Sequence, residues 1–265
     1  MGSGNGVSAV PPDVRSQARR LALLGSGVLA LCADDVILAA FPRSGSTWTR
    51  HLHCNLISLN ELDGRDVEPM LNRTMPALGA NDLFRPWPHH TMPRVVKTHH
   101  RYTRLFRSIP SVGLIRDPRD VMVSRYHLLV DKRGESSESF ARFVRDPRHG
   151  LEGWFRHYAS WRDRWRLALR YEDMLADPQG EFGRLLEAIG ATWTESGLRE
   201  AIDRSSFTSL QRAEKERKPS TDGHGLFFRS GSAGQWREYF DAADLDYHDA
   251  LAARYDVSVY ATDQP

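Results

Sequence analysis

At 265 residues the chain is long enough to form one large α/β domain with a substantial core. A hydrophobic share of 40%, a charged share of 26% and a formal charge of +2 describe an ordinary globular chain with no electrostatic signature for nucleic acid. Two cysteines, Cys32 and Cys54, are too few for a disulfide framework or a zinc site; both are expected to be buried thiols, in keeping with a reducing, cytoplasmic setting.

Residues 1–12, with Gly, Ser, Asn and two prolines, read as a disordered leader, and 13–265 as a single domain. The run "RRLALLGSGVLALC" (19–32) has a basic start and an apolar body, as targeting segments do. It is too short to span a bilayer, is interrupted by Gly25, Ser26 and Gly27, and is better read as a helix on the core edge, so no integral membrane segment is expected. A first strand is predicted at about 35–41 and a helix at 46–59, followed by a long excursion with short helical pieces over 60–93. "RVVKT" (94–98) and "SVGLIR" (111–116) are the next strands, and a helix opens near Pro118. A second excursion covers 131–150, then a helix 153–165 and a fourth strand, "LALRY" (167–171). Asp177 as N-cap, Pro178 as first residue and Gly190 as stop bound a helix whose Phe182, Leu185, Leu186 and Ile189 share one face. Strands alternating with helices predict a central parallel sheet covered on both faces.

Ligands of such sheets bind beyond the carboxyl ends of the strands, and four patches fall there. "FPRSGSTW" (41–48) joins a strand to a helix, so backbone N–H groups and the helix dipole would face an anion, with Arg43, Ser44, Ser46 and Thr47 adding donors. It lacks the first glycine and the lysine of the nucleoside-triphosphate loop, which disfavours ATP–magnesium chemistry; a plain structural turn is its rival reading. "VKTHH" places Lys97 and His99 on one side of an extended segment, a pairing suited to charge stabilisation and general-base work, although surface residues at a strand end would look the same. In "LIRDPRDVMVSRYH", Arg116 and Ser124 suit a second phosphate, while Asp117, Arg119 and Asp120 read as capping and surface charges. "FFRSGSAGQW" (227–236) reads as a lid over a nucleotide or as a flexible surface loop.

The order of these motifs resembles the cytosolic-type sulfotransferases. "DDVILAAFPRSGSTW" is similar to their 5′-phosphosulfate loop, Lys97-Thr98-His99 to K-T-H, and Arg116 through Ser124 to their 3′-phosphate motif. "GWFRHY", "RYEDM" and Phe227 to Trp236 match the remaining signatures, so the likeness runs over about 33–240. The resemblance implies a P-loop-like α/β fold that transfers a sulfuryl group from 3′-phosphoadenylyl sulfate (PAPS), leaving adenosine 3′,5′-bisphosphate (PAP), with no metal. By the same resemblance Arg43, Ser44, Gly45, Ser46, Thr47 and Trp48 would hold the 5′-phosphosulfate, with Trp48 against the adenine. Arg116, Ser124, Arg229, Ser230 and Gly231 would hold the 3′-phosphate, and Tyr171, Ser205 and Phe207 would line the adenine pocket. His99 would be the base, with Lys97 and Arg43 stabilising charge.

Two departures stand out: Arg43 replaces the usual loop lysine, and Ser230 replaces a lysine of the last motif, which predicts weaker 3′-phosphate binding. The family's C-terminal dimer motif is not recognisable, which leaves a homodimer open. A kinase or nucleotide hydrolase on a similar fold, and an inactive nucleotide-binding protein, are the competing readings; the first is disfavoured by the loop and the second by the intact Lys97 and His99. The acceptor is expected to meet the segments 60–93, 131–155 and 211–228. Phe84, Trp87, His89, His90, Trp154 and Phe227 there suggest an aromatic mouth for a small-molecule or lipid-linked hydroxyl, less so an amine.

Overall fold

The computed structural model describes residues 22, 24–131, 139–147, 149–217 and 231–260. Four parallel strands, β1 (Val36–Ala40), β2 (Val95–Thr98), β3 (Ser111–Ile115) and β4 (Leu167–Arg170), lie in the order β2-β1-β3-β4. Each coincides with a predicted strand to within about a residue. Every residue of β1 and β3 is buried, as strands covered on both faces require.

The period of two divides β1 between two layers. Val36, Leu38 and Ala40 pack with Leu52, Leu56, Phe182 and Leu198 on one face, and Ile37 and Ala39 with Val96, Phe106 and Trp161 on the other. The first face is covered by helices α1 (Ser46–Glu61), α7 (Pro178–Ile189) and α8 (Glu195–Arg204), with the four-residue α2 (Leu71–Thr74) beside α1. A further cluster joins Ile115 of β3 to α3 (Pro118–Asp131), α4 (Phe140–Val144), α5 (Leu151–Trp161) and α10 (Ala242–Tyr255). The short α6 (Tyr171–Ala176) follows β4 directly, and α9 (Phe207–Arg217) follows α8. Asp177 caps α7 through the Gly180 N–H at 2.9 Å and Gly190 ends it in the left-handed conformation, as the sequence predicts.

The helix expected at 153–165 runs instead over Leu151–Trp161. The chain must turn before β4, and the Arg166 N–H joins the sheet at the Ser111 carbonyl, 2.8 Å away. Gly113 of β3 lets Trp165 close on the strand, since a Cβ there would lie 2.5 Å from the indole. Cys54 is buried, and burial pushes its thiol up to about 12. Cys32 is exposed, contrary to expectation: it follows the edge helix at 24–29, and its N–H donates to Asp35. That edge helix is fastened by Arg94, which grips Asp35 with two 2.7 Å bonds and donates to the Ala30 carbonyl. Among the described residues no helix is long and apolar enough to cross a membrane.

Between α1 and β2 the excursion contains a 3₁₀ turn (Glu68–Met70) and α2, and it adds a bridge from Ala77 to Lys97. Glu61, the last residue of α1, folds it back by accepting bonds from the Thr91 hydroxyl and from the Thr91 and His90 amides. Burial alone would raise the Glu61 carboxyl, but these bonds and the contact with His89 outweigh it and hold it at about 2.

Candidate active site

Because β1 lies between β2 and β3, the carboxyl ends of these three strands converge, and a cavity of about 1070 Å³ opens above them. Arg43, Gly45, Ser46, Thr47, Trp48, Lys97, His99, Arg116, Ser124, Tyr171, Phe207 and Gly231 all line it. Residues named from six separate stretches of sequence therefore share one space.

The loop after β1 is shaped for close approach of the Tyr171 ring. Arg43 (φ 78°) and Gly45 (φ 98°) are left-handed, and a Cβ on Gly45 would lie 2.9 Å from the Tyr171 ring. Helix α1 begins there without a side-chain cap, so its first N–H groups are available to an anion. Ser44 is fully buried beneath the loop, outside the cavity lining, and its hydroxyl has no partner among the described residues. The loop is tied to the next motif: Arg43 Nε donates to Ser124 Oγ at 2.8 Å, and Arg116 Nη1 donates to the Arg43 carbonyl at 3.3 Å. Arg116 also stacks over Tyr171 (4.4 Å) and donates to the Ser232 carbonyl (3.0 Å), while its buried Nε has no partner among the described residues. At the cavity wall, a guanidinium N–H without an acceptor among the described residues, beside an uncapped helix start, fits a ligand carrying phosphate or sulfate groups.

Lys97 and His99 stand at the end of β2. Lys97 follows Val95 in the two-residue period and so faces the α1 side. Burial, with the Arg50 guanidinium nearby, pulls the Lys97 ammonium down to about 8. His99 Nδ1 lies 2.6 Å from the Ala40 carbonyl oxygen, which can only accept; Nδ1 must carry the hydrogen, leaving Nε2 with a lone pair when the ring is neutral. His99 opens onto the cavity, and desolvation by the surrounding walls first, then Lys97 and Arg125, lower its pKa to about 4 against the opposing Ala40 bond. At neutral pH the site thus holds a charged lysine beside a neutral imidazole.

Several expectations are corrected. Ser205 does not line the cavity: it is fully buried, its Oγ accepting from Asn55 Nδ2 at 2.9 Å, and the neighbouring Ser206 lines the cavity instead. Asp117, Arg119 and Asp120 are buried rather than surface charges. Arg119 pairs with Asp117 at 2.7 Å and stacks on Trp236, and Asp120 accepts from the Gly234 and Trp236 amides at 2.6 and 3.0 Å. They fasten the end of the last motif to α3. The aromatic mouth is not where it was expected. Trp87 packs on the core with its N–H on the Met92 carbonyl, and His89 contacts Glu61. His90 and Phe84 lie at the surface, and Trp154 is buried in the α3–α5 cluster. Arg229, Ser230 and Phe227 lie outside the described residues.

Sequence reasoning missed Arg50, His51, Arg125, Leu128, Leu129 and His149 in the lining. Helical spacing would have found the first two, three and four residues beyond Thr47, and likewise Leu128, four beyond Ser124. Among the described residues no three His, Cys, Asp or Glu side chains group as metal ligands.

Comparison with known proteins fits this picture. The dog sulfotransferase 1B1 is 28% identical, with 82% of each chain covered, and the mouse sulfotransferase 1A1 is 24% identical, covering 83% of this chain and 84% of its own. Among solved structures, retinol dehydratase in complex with retinol and PAP superposes with a TM-score of 0.68 at 21% identity, over 95% of this chain and 88% of that one. Mouse sulfotransferase SULT7A1 complexed with PAP gives 0.65 at 20% identity, over 89% of both chains. At these identities the superpositions speak to the fold. The sulfotransferase domain family matches residues 33–254, and with the strand-end cavity and its ordered motifs this makes the chain a member of the PAPS-dependent sulfotransferase family.

Proposed function

We propose that the cavity binds PAPS and a hydroxyl-bearing small molecule together and that His99 acts as the base. The observation that carries this reading is the convergence of the Arg43–Ser124–Arg116 network with Lys97 and His99 on one cavity. Its volume, about 1070 Å³, slightly exceeds the ~300–1,000 Å³ usual for one small ligand, which suits two substrates. PAPS supplies an activated sulfuryl group: the acceptor oxygen bonds to sulfur as the bond from sulfur to the phosphate oxygen breaks.

The residues divide the work. The start of α1, Ser46 and Thr47 face the 5′-phosphosulfate, and Arg43 offsets charge left on the departing phosphate; as a guanidinium it stabilises that charge without giving up a proton. Arg116 and Ser124 take the 3′-phosphate, and Trp48 with Tyr171 forms a wall for the base, the two rings meeting edge to face at 6.1 Å. Nε2 of His99 takes the acceptor's proton. Lys97 stabilises the transferring group, which carries less charge than a phosphoryl group, so we assign the site no metal. Catalysis on this reading is in-line positioning plus electrostatic stabilisation.

Thermal-shift titration with PAPS and with ATP–magnesium tests the donor. Stabilisation by PAPS without magnesium is expected; stabilisation by ATP–magnesium alone would favour a phosphoryl-transfer enzyme and overturn the reading.

A further inference from the structure

Arg50 is left over once the donor's groups are assigned. It lies on α1 one turn beyond the phosphate loop and lines the cavity beside Lys97. Its Nη1 donates to Asn72 Oδ1 at 3.2 Å, while its Nε is buried with no acceptor, and it forms no ion pair among the described residues. Glu68, on the same wall, lies 3.9 Å from His51. Two cations are therefore held side by side in a partly desolvated space, an arrangement that an incoming anion would relieve. Across the described lining, Arg43, Arg50, Lys97, Arg116 and Arg125 face only Glu68 and Glu214 as carboxylates.

We propose that Arg50 is a specificity-determining residue and that the acceptor is an anion, a hydroxyl compound whose own oxyanion group is received by the Arg50 guanidinium beside Lys97. A planar guanidinium with an unmatched N–H is suited to a carboxylate or another oxyanion. The inference rests on the donor reading above, because it assumes that the donor's phosphates are held by Arg43, Arg116 and the α1 N-terminus. It replaces the aromatic mouth expected from the sequence with a charged one.

The test is calorimetric binding of 4-hydroxybenzoate and of its uncharged isostere 4-hydroxybenzamide to the PAP-loaded protein. The wild type should bind the carboxylate about 10-fold or more tightly than the amide, the worth of one charge-assisted bond. Arg50→Gln should bring the two affinities together, and Arg50→Lys should restore part of the preference. PAP affinity should be the same in all three proteins, to within about twofold, a change too small for a lost phosphate contact. Equal affinities in the wild type, or a preference that survives Arg50→Gln, would overturn the proposal. A loss of PAP affinity in Arg50→Gln would reassign Arg50 to the donor and overturn it as well. Failure of the wild type to bind PAP would overturn the donor reading and this inference with it.

Discussion

The carboxyl ends of β1 and β3 and the carboxyl end of β2 border the same cavity, but they are built differently. At β1 and β3 the charged groups are interlocked: Arg43 holds Ser124, Arg116 holds the Arg43 carbonyl, and Asp120 holds the chain at Gly234 and Trp236. At β2, Lys97 is half-buried and His99 opens onto the cavity, both among cations, and both pKa values are lowered, to about 8 and about 4. Interlocked networks give rigidity, which suits the holding of a nucleotide, whereas desolvated groups with shifted pKa values suit proton transfer and charge stabilisation. On the proposed reading, one rim of the cavity serves binding and the other chemistry.

Single substitutions on the two rims should separate these roles. The largest effect is expected on the β2 side: His99→Ala should lower kcat by about 10²- to 10⁴-fold, the usual worth of a general base, while leaving PAP affinity close to wild type in a calorimetric titration. An unchanged kcat would remove His99 from the chemistry. On the other rim, Arg116→Ala should act in the reverse sense, raising the KM for PAPS by about 10- to 100-fold, the cost of a charged hydrogen bond, with a smaller change in kcat. If Arg116→Ala lowers kcat and spares KM, the division between the rims does not hold.

The difference between the rims also bears on what could be read beforehand. The β1 and β3 side was legible because its determinants are local: a strand end, a turn and a helix start bring 41–48 and 116–124 together within short stretches. The four strands and α7 could be read for the same reason, from apolar runs, Asp177, Pro178 and Gly190. The helices after α7 left weaker signals; α8 and α9 are largely polar, and α8, α9 and α10 were not predicted. The acceptor side was misread because residue type says little about direction. Trp87, His89 and Trp154 look like a mouth in one dimension, but Glu61 pulls the excursion back on α1 and the core claims Trp154. Asp117, Arg119 and Asp120 were misread in the opposite sense, since a buried ion pair and a carboxylate capping two amides have the same composition as a solvated helix start.

The pH dependence of kcat/KM for PAPS tests the central claim most directly, because it reports the groups of the free enzyme. A base at His99 must be unprotonated and a stabilising Lys97 protonated, so kcat/KM should rise as pH increases through about 4 and fall as it passes about 8. Short pH-jump assays are needed at the acid end. Burial holds His53 and His157 at about 3, so the unfolded chain binds more protons below the ordinary histidine range and stability declines as pH falls from about 6.5 toward 3. A bell with limbs near 4 and 8, whose acid limb disappears in His99→Ala, is the predicted result. A rate that falls as pH rises from 4 to 6.5, the mark of a required imidazolium, would contradict the assignment of His99 as a neutral base.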